Sequence, residues 1–123
     1  MSKKDPLRVL NYLEHILEAI KRINHYTYDM DEPTFLKNEL VQDAVIRNLE
    51  IIGEASKNID HHHPDFSIQY PDLPLKFAYE MRNALAHGYF KTDFEIVWNT
   101  IETDLPQLEA KVQKIYLKHK PTD

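Results

Sequence analysis

The chain has 123 residues, 42% of them hydrophobic, with a formal net charge of −5, 2 glycines and no cysteine. This suits one domain over residues 1–123, and a domain so small buries only about two-thirds of the surface of its unfolded chain. The few glycines argue against a turn-rich all-β fold, the lack of cysteine excludes a disulfide framework or a thiolate zinc site, and the net charge disfavours broad nucleic-acid coating while leaving room for a local cationic pocket.

The opening stretch MSKKDPLRVL turns polar too soon for a signal peptide. No apolar run approaches the ~20 residues of a membrane span. A soluble, cytoplasmic protein with no membrane partner is therefore expected.

A first helix is predicted from Asp5, a good N-cap, with Pro6 at the first helical position where proline is tolerated. Leu10, Leu13, Leu17 and Ile20 follow at three- and four-residue steps, and Leu7, Ile16 and Ile23 widen the stripe. The helix is expected to end near 26–28. Residues 29–33 form a polar connection, and 34–37 a short helical piece.

A long helix is predicted over 38–59. Leu40, Ala44, Val45, Leu49, Ile52, Ala55 and Ile59 mark its buried face. Gly53 lies inside it, where glycine costs about 1 kcal/mol relative to alanine. Close approach of another backbone would explain its presence.

Residues 61–75 read as the main loop, with Pro64, Pro71 and Pro74 as breakers. A helix over 74–87 follows, with Gly88 placed just past its end. Thr92-Asp93-Phe94-Glu95 fits a capping box for the last helix. That helix carries Phe94, Val97, Ile101, Leu105, Leu108, Val112 and Ile115, and Pro106 is expected to kink or split it. No run alternates with period two. The fold class is therefore all-α, an up-and-down bundle of four main helices plus a short one.

Residues 81–90, MRNALAHGYF, concentrate polar chemistry on one helix end. Asn83 and His87 are four apart and share a face, with Tyr79 and Glu80 one turn earlier. Asn83 could orient the imidazole. Arg82 points about 140° away from His87 on a regular helix. Fraying of the last turn, or a second copy of the motif across a dimer axis, could bring them together. One reading is phosphodiester chemistry: histidine moves a proton near neutral pH, and arginine matches phosphate oxygens and the negative charge developing on them. The other reading is a histidine favoured by the helix dipole and a tyrosine packed at the helix end. Spacing alone leaves both open.

Other candidates have plainer explanations. His61, His62 and His63 are adjacent in an expected loop, without cysteine or carboxylate spacing to complete a metal site, and are expected to be solvated. Glu50 and Glu54, with Arg47, form helix-spaced charges expected to make surface ion pairs. Trp98 suits a core or a dimer interface better than a base-stacking platform. Tyr26 and Tyr28 sit at a helix end.

Arg82, four residues, His87, one residue, Tyr89 resembles the R-x4-H-x-Y motif of the HEPN superfamily, with Asn83 as the polar residue after the arginine. DPLRVLNYLEHILEAIKRI, QDAVIRNLEIIGEASKNI and DFEIVWNTIETDLPQLEAKV resemble the HepT-like toxins of minimal nucleotidyltransferase toxin–antitoxin pairs. The likeness covers nearly the whole chain. It implies a helical homodimer whose two motifs face one cleft, acting as a metal-independent endoribonuclease on RNA. It further implies restraint by an MntA-like nucleotidyltransferase that transfers AMP from ATP onto the motif tyrosine. Carried over by residue, Arg82 and His87 are catalytic, Asn83 supports them and Tyr89 is the modification site. No cofactor or metal belongs to this chain, ATP and magnesium being used by the partner. A cleft-lining role for Arg47 or Glu54 also follows from the resemblance.

The sequence departs from the family where many members carry glycine two residues before the motif arginine. Glu80 stands there, and the tryptophan often found upstream is absent. A carboxylate on the Asn83 and His87 stripe could stabilise imidazolium or repel RNA phosphate. The rival expectation is a non-catalytic helical dimer that serves a nucleotidyltransferase as substrate or docking partner.

Overall fold

A computed structural model describes the backbone of residues 6–87 and 93–120, and side chains over 8–83 and 93–120. The first helix, α1, spans Pro6–Tyr26; the expected Asp5 cap lies outside the described residues. Its stripe is buried as the periodicity requires, with Leu13, Ile16, Ile20 and Ile23 all at 0% exposure. Helix α2, Glu32–Leu36, starts earlier than expected. Asp31 is the reason: its carboxylate accepts the Thr34 N–H at 3.0 Å, and Pro33 then falls in the first turn, where its missing N–H is no loss. Hydrogen bonding from the Thr34 side chain, and after it from the Thr34 N–H, holds the Asp31 carboxyl below its ordinary value.

Helix α3, Glu39–His62, is capped by Asn38, whose side-chain oxygen accepts the Val41 N–H at 3.0 Å. Val45, Leu49, Ile52, Ala55 and Ile59 are buried as expected, but Leu40 is 80% exposed. Leu40 lies about 140° round the helix from Val45. Gln42 is buried instead, its amide donating to the Phe35 carbonyl at 2.9 Å and tying α3 to α2.

The expected loop at 61–75 is largely helical. Helix α3 continues to His62, and Pro64–Gln69 forms α4. Pro64 acts as a helix starter there rather than a breaker, because its fixed φ suits the first turn. His61 and His62 are exposed in the last turn of α3, whereas His63 is buried at the junction. Its ring meets Tyr12 of α1 edge-on with centroids 6.2 Å apart. The histidine run is thus not a solvated loop.

Helix α5 spans Leu75–His87 and α6 spans Phe94–Asn99. Asp93 caps α6, accepting from the Glu95 and Ile96 amides at 3.0 and 3.3 Å; Thr92, the expected cap, lies outside the described residues. Pro106 splits the last helix as anticipated. Thr100–Asp104 winds as a π-turn, with the Leu105 N–H reaching the Thr100 carbonyl, before α7 resumes over Leu105–His119. A wider turn relieves the clash between a proline ring and the carbonyl four residues back. Backbone angles stay helical at both junctions, so the three pieces form one interrupted rod.

Helix α3 packs on both α1 and α5, α7 packs back on α1, and α2 bridges α3 and α6. The result is an all-α bundle of four main helical rods with two short helices, and no strand among the described residues. Phe35, at 0% exposure, anchors α2 beneath Trp98, with ring centroids 5.2 Å apart. Burying such a side chain contributes roughly 1.5–3 kcal/mol. Trp98 is a core residue. No helix among the described residues is long and apolar enough to cross a membrane.

Candidate functional site

The site begins with a packing detail. Gly53 of α3 faces α5 so closely that an added Cβ would lie 2.1 Å from the Arg82 Cβ and 3.0 Å from the Ala78 carbonyl oxygen. The expected close approach therefore occurs, and it occurs at the motif arginine. Glycine at this point fixes how near the Arg82 backbone comes to α3.

The next residue on α3 completes the contact. Arg82 Nη2 lies 3.2 Å from Glu54 Oε1. Arg82 Nη1 donates to the Asn83 side-chain oxygen at 3.1 Å. The guanidinium is therefore held by one carboxylate from α3 and one amide from its own helix. Its side chain remains 31% exposed, and that of Glu54 51% exposed. Both line an open groove of about 440 Å³ between α1, α3 and α5, together with Tyr12, His15, Arg47 and Glu50.

This arrangement departs from the sequence reading in two ways. Glu54 pairs with Arg82, across helices, rather than serving only local charges on α3. The Asn83 side-chain oxygen accepts from Arg82, a contact that the sequence reading did not include. Nothing in local spacing signals the Glu54 pair, which joins positions 28 residues apart. Gly53 hinted at the close approach, and the family resemblance at a groove-lining place for Arg47 and Glu54, which both line this groove.

Helix α5 continues through His87 without unwinding. Positions 82 and 87 are therefore about 140° apart around the helix axis. Asn83 shares the His87 face, so the Glu54–Arg82–Asn83 series leads from the groove towards that face. The His87 side chain and all of Tyr89 lie outside the described residues. Glu80 is exposed on α5. Tyr79 is turned to α3, donating to Asp60 at 3.5 Å and meeting the His61 ring edge-on. No group of three or more His, Asp or Glu among the described residues is arranged to hold a metal ion.

The groove thus offers a fixed guanidinium with unused donors, flanked by a second arginine and a histidine. Such a set can bind a phosphate oxygen and move a proton. It also carries Glu50 and Glu54, so its charge is mixed rather than uniformly basic.

A family model described as "Ribonuclease HepT-like" matches residues 16–115. "Probable ribonuclease HepT" of Thermococcus cleftensis is 43% identical over 105 residues, covering 85% of this chain and 93% of that protein. "Putative RNase MJ1380" of Methanocaldococcus jannaschii is 38% identical over 113 residues, covering 92% and 98%. A second protein of that organism, "Gamma-glutamylcyclotransferase and putative RNase MJ0434", is 42% identical over 104 residues, but the match takes up only 46% of it. No solved structure matches the chain significantly. The chain belongs to the ribonuclease HepT-like family.

Proposed function

We propose that this chain is the toxin of a type VII toxin–antitoxin pair, a metal-independent endoribonuclease whose activity is switched off by AMP on Tyr89. The endoribonuclease class follows from family membership. The observation that carries the site assignment is the Arg82 guanidinium, fixed by Glu54 and Asn83 at the edge of an open groove.

The chemistry uses the RNA itself as the source of the nucleophile. A 2′-hydroxyl gives its proton to a His87 imidazole and attacks the adjacent phosphorus. The bond from phosphorus to the 5′-oxygen breaks, and an imidazolium returns a proton to that oxygen. The products are a 2′,3′-cyclic phosphate and a 5′-hydroxyl. Arg82 neutralises the charge that builds on the phosphoryl oxygens. A homodimer brings two copies of Arg82 and His87 into one groove, which the spacing of positions 82 and 87, about 140° apart on a helix, favours.

The restraining partner is a cognate MntA-like nucleotidyltransferase, which supplies ATP and magnesium. The cytoplasm is the compartment where such a pair and its RNA substrate would meet.

The test is incubation of purified protein with RNA in EDTA. Cleavage should survive chelation, leave cyclic phosphate ends and disappear in His87→Ala. Equal activity in the variant would assign the cleavage to a contaminant. A second reading, a non-catalytic dimer that docks a nucleotidyltransferase, draws on the net charge of −5 and the exposed Glu80 carboxylate. Intact RNA under all conditions, with stable binding to the partner, would favour it.

A further inference from the structure

We propose that Glu54 is a positioning residue for RNA cleavage, setting the plane of the Arg82 guanidinium without touching RNA. The inference rests on the reading of Arg82 as the phosphate-binding cation.

An arginine presents five N–H donors in a rigid fork. Here one donor on Nη2 faces Glu54 and one on Nη1 faces Asn83. Three have no partner among the described residues: the Nε–H and one on each terminal nitrogen. A fork held at one nitrogen can swing about that contact. A fork held at both terminal nitrogens, from two different helices, keeps a fixed plane. Bidentate phosphate recognition depends on that plane.

The contact is too exposed to be explained by stability. With side chains 31% and 51% exposed, an ion pair of this kind is screened by solvent and adds little to the stability of the fold. Its value lies in orientation. Two features of α3 act together on the same residue: Gly53 admits the Arg82 backbone, and Glu54, the next position, holds the end of its side chain. A seat at the base of the side chain and an anchor at its tip leave little freedom between them.

The arrangement also separates positioning from blockade. Glu54 occupies one donor of five, so it does not have to leave before a phosphate can bind the others. Glu50, Arg47 and His15 line the same groove, but the Arg82 ion pair is with Glu54.

The experiment measures kcat and KM on a labelled mixed-sequence RNA, using the full chain and the variants Glu54→Gln, Glu54→Ala, Arg82→Lys and Glu54→Ala with Arg82→Lys. Thermal unfolding of each is followed by circular dichroism. Glu54→Ala should lower kcat about tenfold with KM changed less than about twofold, within the hundredfold that an ångström-scale misplacement can cost. Glu54→Gln keeps an acceptor oxygen at the same reach and should recover most of that loss. In the Arg82→Lys background, Glu54→Ala should add no further loss, because the group it positions has gone.

Wild-type or faster cleavage by Glu54→Ala overturns the proposal; faster cleavage would make Glu54 a competitor of phosphate. An equal loss in the Arg82→Lys background overturns it too, as does a loss matched by a fall in unfolding temperature that Gln does not repair. The two levels fail separately. If Arg82→Lys cleaves normally, the role of Arg82 falls. If Arg82→Lys is impaired and Glu54→Ala is not, only the positioning role falls.

Discussion

Gly53 and Arg82 are in backbone-level contact: a methyl group on Gly53 would stand 2.1 Å from the Arg82 Cβ. The obstructing atom is fixed to the α5 backbone, so no side-chain rotation can clear it. Gly53→Ala would gain about 1 kcal/mol of helix propensity. The clash should outweigh that gain, since overpacking costs about 1–3 kcal/mol and this one requires α3 and α5 to separate. The expected result is a lower unfolding temperature with a larger loss of RNA cleavage, as Arg82 moves from its place beside Glu54. Calorimetry and cleavage assays on the same sample check both. A variant that is more stable and fully active would show that α5 can shift without consequence.

Arg82→Lys should not be mild. Lysine keeps the charge but cannot reach Glu54 and Asn83 together while offering a planar pair of donors. Cleavage should fall by at least about tenfold, the equivalent of ~1.4 kcal/mol for one charged contact. Unchanged cleavage with lysine would reduce Arg82 to a general electrostatic role.

The hydroxyl of Tyr116 on α7 donates to the Glu14 carboxylate on α1, and this bond raises the phenol above its ordinary value of 10.0. The folded state therefore favours the protonated phenol. Its contribution is fully present below about pH 10 and is lost as pH rises through the higher folded value. Wild type should exceed Tyr116→Phe in unfolding temperature near neutral pH, and the gap should narrow above pH 10. A gap that widens in alkali would contradict the donor assignment.

Periodicity made the main rods legible because each stripe reports on its own helix. Leu13, Ile16, Ile20 and Ile23 needed only three- and four-residue spacing to be placed in the core. Pro106 announced the break in the last helix, since a missing N–H is a local property. Leu40 misled because a helix end can carry an apolar side chain off the stripe at little cost. Pro64 misled because proline both stops and starts helices, and His63 was buried by a tertiary contact with Tyr12. At the site, spacing alone left Arg82 and Asn83 open between packing and chemistry, and the family resemblance singled them out. The Glu54 contact was hidden because it depends on the distance between α3 and α5, of which the sequence shows only Gly53.

The protein should be a homodimer with α5 near its two-fold axis. Positions 82 and 87 are about 140° apart on a regular helix, so a second copy is the direct way to assemble both residues in one groove. Phe77 and Met81, on α5, line an apolar groove of about 180 Å³, and Phe77 is 46% exposed. A partner surface would cover that side chain. Light scattering should report twice the chain mass at micromolar concentration. A monomer that still cleaves RNA would remove the composite site.

Tyr89 should be the point at which activity is switched off. It lies two residues beyond His87, the last residue of α5, within the motif that the proposed function assigns to catalysis. A partner nucleotidyltransferase can supply a base and magnesium-bound ATP. The phenolic oxygen then attacks the α-phosphorus, loses its proton to the base and forms a new P–O bond as pyrophosphate leaves. The resulting phosphodiester is anionic and would take the free donors of Arg82. The adenosine would fill space that RNA needs, so one covalent step would block the site by charge and by bulk. Intact-mass analysis after incubation with the partner and ATP should show one or more AMP units on wild type and none on Tyr89→Phe. Cleavage should decline in step with the adduct. Full inhibition of a sample whose Tyr89 remains unmodified would instead assign control to simple masking by the bound partner.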